Sequence, residues 1–298
     1  MSEQFPTGVI IFGCGYVGSA LAEALIARGV RVGALTRNAQ KAEQLRAMGV
    51  TEVVVAQLES NDWHAELNDR YAAVVNCVSS AGGGIAGYRQ SYLEGQASIL
   101  KWVGSQTVER YIYTSSTSVY PQDGGVWVDE SAATDGAPET GQVLLESESL
   151  LAESSALSAW YVLRLAGIYG PGRHYLLDTL RRGEKTISGA GDYSLNVIHL
   201  NDIVSAMLRL LSAEVALQSG IYNLADDAPT TKAEMVAWLS EQLKVDTPCF
   251  DPNSVSPRLK RRGGHMPNRR ISNKKFKAFA DWELKYPDYR AGYANMLE

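Results

Sequence analysis

Three glycines, Gly13, Gly15 and Gly18, follow the apolar run GVIIF and precede the helical pattern YVGSALAEALI. That spacing is suited to the pyrophosphate of a dinucleotide. Gly13 permits a tight turn, Gly15 lets a pyrophosphate approach the main chain, and Gly18 lets helix and strand pack closely. The helix start at Tyr16 and Val17 then offers free N–H groups and the positive end of the helix dipole to the phosphates. Where an acidic residue would hold a ribose 2′-hydroxyl, the second apolar run VRVGALTR ends instead in Thr36 and Arg37. A carboxylate would repel a 2′-phosphate, whereas a guanidinium pairs with one bidentately. The expected cofactor is NADP in preference to NAD.

These groups need a scaffold, and the apolar pattern supplies one. GVIIF (8–12), VRVGAL (30–35), TEVVVA (51–56), AAVVNCV (72–78), RYIYTS (110–115) and WYVLRLA (160–166) read as strands. Near-continuous apolar runs of this kind suit a parallel sheet covered on both faces. Helical patterns at 16–28, 38–48, 88–104 and 141–154 lie between them. The alternation predicts an α/β fold of Rossmann type, a doubly wound parallel sheet. Beyond residue 170 the rhythm changes. A short helix (LLDTLRRGE), the helix DIVSAMLRLLS capped by Asn201 or Asp202, and the strand GIYNLA (220–225) come first. A Thr-capped helix over 230–243 and a last helix near 272–280 follow. The expected organisation is a dinucleotide-binding unit over 1–170 and a smaller C-terminal α/β substrate lobe over 171–298, interleaved with it.

With 298 residues, 45% hydrophobic and 20% charged, the chain is ordinary in composition and long enough for a sizeable core. Its net charge of -5 argues against nucleic acid as the main partner. The start MSEQFPTG lacks a basic region, and the apolar run after it is too short for a signal segment or a membrane span. Cys14, Cys77 and Cys249 form no CxxC pair, and His64, His174, His199 and His265 lack metal-ligand spacing. Reduced thiols, no metal and a cytoplasmic location are expected.

Four further stretches carry a family signal: TSSTSVYP (114–121), RLAGIYGPGRH (164–174), NVIHLNDIVSAM (196–207) and ADWELKYPDYRAGYANML (280–297). In that order and at those separations they resemble the extended short-chain dehydrogenase/reductases, the NAD-dependent epimerase/dehydratase family, over nearly the whole chain. The resemblance implies that Ser116 hydrogen-bonds the substrate's reacting oxygen, with Thr114 and Ser115 beside it in the cofactor site. It implies that Cys77, Val78 and Ser79 run beneath the adenine ribose and nicotinamide. Leu165, Ala166, Gly167 and Ile168 would pass the nicotinamide. Gln57 and Leu58 fall where the family places an Asp against adenine. His199 matches a family histidine that braces the two lobes.

One stretch departs from that family. PETGQVLLESESLL (138–151) falls where the family carries a catalytic Tyr and, four residues on, a Lys. With Gly141 on the Gly after that Tyr and Glu148 on the family's helix Glu, Thr140 takes the Tyr place and Leu144 the Lys place. No Tyr or Lys occurs between Pro121 and Tyr161, which matches the atypical branch of the family. A phenol of pKa about 10 becomes a usable acid/base near neutrality when an ammonium favours its anion. A Thr hydroxyl beside a Leu does not.

Three readings follow: an enzyme using other groups of the cleft, a dinucleotide-binding sensor or partner protein without chemistry, and a redox reaction needing only positioning. Groups expected at the cleft are Ser116, Thr117, Tyr120, Glu146, Tyr169, His174 and Tyr175, with Ser116, Thr117 and Tyr120 the catalytic candidates. Arg173 and His174, after the GPG turn, suit an anionic or sugar hydroxyl group. The basic run PRLKRRGGHMPNRRISNKKFK (257–277) is a positive patch in an acidic protein. Within it, Arg261 and Arg262 are candidates for a substrate diphosphate. The expected substrate is a small molecule, either a nucleotide-sugar or a small carbonyl or hydroxyl compound, handled by a monomer or homodimer.

Overall fold

The computed structural model describes residues 4–80, 82–254 and 267–297, so Arg261 and Arg262 lie outside the described residues. GVIIF forms β1 (Gly8–Phe12), buried throughout. Alternate side chains of a strand point to opposite faces, so Val9 and Ile11 enter one apolar cluster while Ile10 and Phe12 enter another. The other strands of the main sheet are β2 (Arg31–Thr36), β3 (Glu52–Val55), β4 (Ala73–Asn76), β5 (Val108–Ser116), β6 (Leu157–Leu165) and β7 (Gly220–Leu224). They run parallel in the order β7-β6-β5-β4-β1-β2-β3. The order reverses between β1 and β4. Loops leaving the carboxyl ends there diverge and open a crevice, the usual ligand site of a doubly wound sheet.

The helices are α1 (Tyr16–Ile26), α2 (Ala39–Met48), α3 (Gly84–Arg89), α4 (Gly95–Val103), α5 (Glu139–Ala152), α6 (Tyr175–Arg181), α7 (Leu200–Leu211) and α8 (Lys232–Leu243). Two features differ from the periodicity of the sequence. The helical stretch expected over 88–104 is interrupted by a π-helical turn, Gln90–Glu94, between α3 and α4. The strand GIYNLA, expected in the smaller lobe, is the outermost strand of the main sheet, with Gly220 opposite Tyr161 and Leu224 opposite Leu165. Pairing across that distance in sequence is decided by burial of Tyr222, Asn223 and Leu224, which local pattern does not report.

The cap of α7 is also different. Neither Asn201 nor Asp202 caps it; His199 does, its Nδ1 accepting from the Asn201 N–H at 3.2 Å. Asp202 instead accepts the backbone N–H groups of Lys285 and Tyr286 at 2.8 and 3.1 Å, tying the C-terminal segment down. The Thr cap of α8 is as expected, with Thr231 and Glu234 forming a capping box. A separate apolar cluster, including Leu177 and Leu180 of α6, Val236 and Leu239 of α8, Tyr169 and Tyr293, holds the smaller lobe together. Short parallel pairs, Gly167–Tyr169 with Val197–His199 and Val126–Val128 with Arg269–Ile271, join it to the carboxyl edge of the sheet. No helix among the described residues is long and apolar enough to cross a membrane.

Candidate active site

The Gly13–Gly18 turn has the shape its spacing implies. Gly13 sits at φ +84°, and a Cβ there would fall 2.5 Å from the Val78 nitrogen. A Cβ on Gly18 would fall 2.5 Å from the Gly13 carbonyl oxygen. At Gly15 the situation reverses: the residue is exposed and an added Cβ would meet nothing within 4 Å. The main chain of the turn therefore faces open space at its middle glycine, which is what a pyrophosphate needs. Gly15 is also the cap of α1 and no side chain occupies that helix end, so the first amides of α1, at Tyr16 and Val17, remain for an anion. Thr36 closes β2, and Arg37 beyond it is exposed with no ion pair or hydrogen bond among the described residues.

The loop after β4 is fixed from below. The Val78 N–H donates to Asn76 Oδ1 at 3.0 Å, and Asn76 Nδ2 donates to the buried Gln96 at 2.7 Å. Cys77, half-buried, and Ser79, exposed, follow at the same edge. Gln57 is exposed beyond β3, whereas the Leu58 side chain is buried against Gly95 and contributes to the core.

Ser116 ends β5 directly opposite Leu165 at the end of β6, so Ser116 and the Leu165–Ile168 segment meet at the carboxyl edge. Its Oγ is half-buried and accepts from the Ser118 N–H at 3.1 Å, capping a short 3-10 turn, Thr117–Val119. Thr140 is half-buried at the start of α5, and Gly141 packs close to the Ser118 carbonyl. Leu144 is 1% exposed and belongs to the core. An ammonium at that place would be desolvated among apolar groups, so the residue suits the environment it has.

Thr117 and Tyr120 are both buried. The Tyr120 hydroxyl donates to Asn223 at 2.8 Å and accepts from Arg164 Nη1 at 2.9 Å. Arg164 is itself paired with Glu148, through Nε at 3.1 Å and Nη2 at 2.6 Å, and Ser115 Oγ donates to the same carboxylate at 2.6 Å. The ends of β5, β6 and β7, the middle of α5 and the turn at Tyr120 are thereby tied together. Burial pushes the Tyr120 phenol above its ordinary range, against the pull of Arg164. Glu146 faces away from this point and pairs with Arg89 of α3 at 2.9 Å.

At the junction with the smaller lobe, the Tyr16 hydroxyl donates to the Pro171 carbonyl at 2.9 Å and Arg173 lies over the Tyr16 ring. The GPG turn is thus brought onto the start of α1 beside the Gly13–Gly18 turn. His174 contacts Asp178 at 2.9 Å at the start of α6, and Tyr175 is exposed. Tyr169 is buried, its hydroxyl filling the space beside Gly292 and its ring stacked on Tyr293. His199 is buried between Tyr169 and Tyr286, and desolvation lowers its pKa to about 4, leaving it neutral. Asp226, after β7, is 1% exposed, and neither oxygen has a regular hydrogen bond among the described residues.

Three residues outside the set expected at the cleft also contact its elements. Tyr88 and Tyr92 pack with tilted rings, centroids 4.4 Å apart, at the π-helical turn, which the Ser147 hydroxyl holds to α5 through the Tyr92 carbonyl at 2.8 Å. Arg269 reaches the Thr117 carbonyl from the C-terminal segment, 152 residues away in sequence.

Residues 9–225, turn and carboxyl edge included, match the NAD dependent epimerase/dehydratase family. The chain belongs to that family. Among its relatives is Protein YeeZ of Escherichia coli (strain K12), 28% identical over 285 residues, covering 94% of this chain and 96% of that protein. A 3-diazoavenalumate denitrifying reductase of Streptomyces sp is 25% identical over 313 residues, covering 93% and 96%. The solved structure of MoeE5 in complex with UDP-glucuronic acid and NAD shares the fold, at TM-score 0.81 and 20% identity, with 97% of each chain covered. As a member of the epimerase/dehydratase family, the protein is a nicotinamide-dependent enzyme with a Rossmann-type sheet. Its relatives give the inactive-sensor alternative no support.

Proposed function

We propose that this enzyme uses NADP in preference to NAD to interconvert a carbonyl and a hydroxyl on a small substrate, with a nucleotide-sugar the favoured class. The observation that carries the reading is the turn open at Gly15, on the same sheet edge as the half-buried Ser116. Gly13, Gly15, Gly18 and the α1 amides would hold the pyrophosphate, and the unpaired Arg37 a 2′-phosphate. Gln57, Cys77 to Ser79, Thr114 and Leu165 to Ile168 would line the rest. The bound cofactor supplies or accepts the hydride. Ser116 donates a hydrogen bond to the substrate's reacting oxygen, and Arg173 and His174 meet its polar end. Tyr120 and Tyr169 are structural, because both are buried in the packing described above. The three free cysteines, Cys14, Cys77 and Cys249, fit a reducing, cytoplasmic setting.

The proton has to come from outside Thr140 and Leu144, since a Thr hydroxyl without a base beside it does not exchange a proton at neutral pH. The test is oxidation of NADPH against a panel of carbonyl compounds and nucleotide-sugars, run with wild type and Ser116→Ala. Turnover by wild type is expected, with kcat/KM down about 100-fold in the variant, the usual loss of one donor to a reacting oxygen. Equal rates for the two proteins would remove Ser116 from the chemistry. Dinucleotide binding with no turnover on any substrate would return the sensor reading.

A further inference from the structure

The basic run near the C-terminus resolves into different situations once folded. Arg270 lies over the exposed Trp127 ring, Lys275 donates to the Ile221 carbonyl, and Lys277 pairs with Asp227. Among the described members Arg269 is the one turned inward, and it is only 8% exposed. Its Nη2 donates to the Thr117 carbonyl at 2.9 Å, while Nε and Nη1 have no hydrogen-bond partner among the described residues. A buried guanidinium with unmet donors is costly unless something supplies acceptors.

The surroundings locate the unmet donors. Thr117 follows Ser116 directly, and its own hydroxyl reaches the Leu165 carbonyl at 3.4 Å. On the other side, Asn196 holds the Arg269 strand through the Arg269 carbonyl at 2.8 Å and the Ile271 N–H at 2.7 Å, and the Gly167 N–H donates to the Asn196 carbonyl. Arg269 therefore lies between the end of β5, the end of β6 and the smaller lobe, under the Ser116 edge of the cleft. The charged and titratable groups near it are Asp123 and Tyr120. Asp123 already accepts the N–H groups of Gly124 and Asn268, each at 2.8 Å.

We infer that Arg269 is the receptor for an anionic oxygen of the substrate, a carboxylate or phosphate group seated beside the Ser116–Thr117 turn. The inference rests on the substrate reading above and adds to it the chemistry of the substrate's inner end. The guanidinium fork keeps one arm on the Thr117 carbonyl, which aims it. The remaining Nε–H and Nη1–H donors lie on opposite edges of the guanidinium, and the Nε–H offers an anionic oxygen a charge-assisted hydrogen bond. Neutral carbonyl compounds lacking such a group leave those donors unmet and are disfavoured accordingly.

The test is a titration of the NADP-bound protein with inorganic phosphate and, separately, with acetate, following the arginine Nε–H resonances by NMR. A saturable shift of the Arg269 Nε–H is expected with at least one of the two anions, and which one distinguishes phosphate from carboxylate recognition. Arg269→Lys, which keeps the charge and loses the Nε–H donor held in place by the Thr117 carbonyl, is expected to weaken that anion at least tenfold while NADP affinity stays unchanged. No saturable shift of this resonance in wild type with either anion overturns the assignment, whether or not the variant folds. Equal anion affinity in wild type and Arg269→Lys overturns it as well. Failure of wild type to bind NADP is read separately: it sinks the cofactor reading, and the anion titration is then judged on the apoprotein.

Discussion

Replacing Glu148 with Ala is expected to cost about 3–5 kcal/mol of stability, the range for breaking a buried ion pair from one side. Both partners of the Glu148–Arg164 pair are 4% exposed, so the guanidinium left behind cannot be rehydrated without opening the core. The loss spreads, because Ser115 donates to the same carboxylate and Arg164 orients the Tyr120 hydroxyl. A fall in Tm of roughly 6–20 °C should accompany it, taking about 2–4 °C per kcal/mol. Replacing both Glu148 and Arg164 with Met should recover much of the loss, since an apolar pair of similar volume needs no solvation. A Glu148→Ala protein less than about 1 kcal/mol below wild type in urea unfolding would show that the pair does not anchor the cleft floor.

Asp226→Asn is expected to act in the opposite direction. Burial, reinforced by the Asp288, Asp227 and Asp202 carboxylates and only partly offset by the Ala228 N–H, raises the Asp226 pKa to about 8. In the unfolded chain the same carboxyl titrates near 3.9. Between these values the folded protein holds a proton that the unfolded one has released, so stability falls as pH rises from about 4 to about 8. The amide stays neutral throughout. Asp226→Asn should therefore be more stable than wild type at pH 8, by about 2–3 kcal/mol after allowing for local relaxation, and close to it at pH 4.5. Thermal melts of the two proteins across that range check it; parallel curves would mean that Asp226 is already ionised in the fold. His199 works with the reverse sign. Its pKa of about 4 removes stability as pH falls below about 6.5, which sets the acid side of the profile for both proteins.

The strands of the sheet and the glycine turn were legible because they depend on local pattern. GVIIF is apolar at every position since both faces are covered, and the three glycines answer to contacts within one βα unit. What pattern does not report is pairing at a distance. GIYNLA has strand character in any setting, but its place beside β6 is settled by a crossover through α7. Asp202 is a good capping residue by type, yet its carboxylate is drawn to the backbone of Lys285 and Tyr286, 83 and 84 residues away, and His199 takes the cap. The Tyr120 hydroxyl is held by Asn223 and Arg164, 103 and 44 residues off, partners that local pattern does not report either. Arg269 belongs to the same class. A basic run offers several equivalent cations, and only packing turns Arg269 inward among the described ones.

Gly15 offers the most direct measurement of the account. An added Cβ there meets no atom within 4 Å, so Gly15→Val should leave Tm nearly unchanged while occupying the space assigned to the pyrophosphate. Titration calorimetry with NADP and NAD on wild type, Gly15→Val and Arg37→Asp is the experiment. The expected result is binding of both nucleotides by wild type, tighter for NADP, and of neither by folded Gly15→Val. Arg37→Asp should lose on the order of 1.5–3 kcal/mol for NADP and much less for NAD, the worth of one charge-assisted pair. Undiminished binding by Gly15→Val would place the dinucleotide elsewhere, and equal losses for the two nucleotides in Arg37→Asp would contradict the 2′-phosphate site.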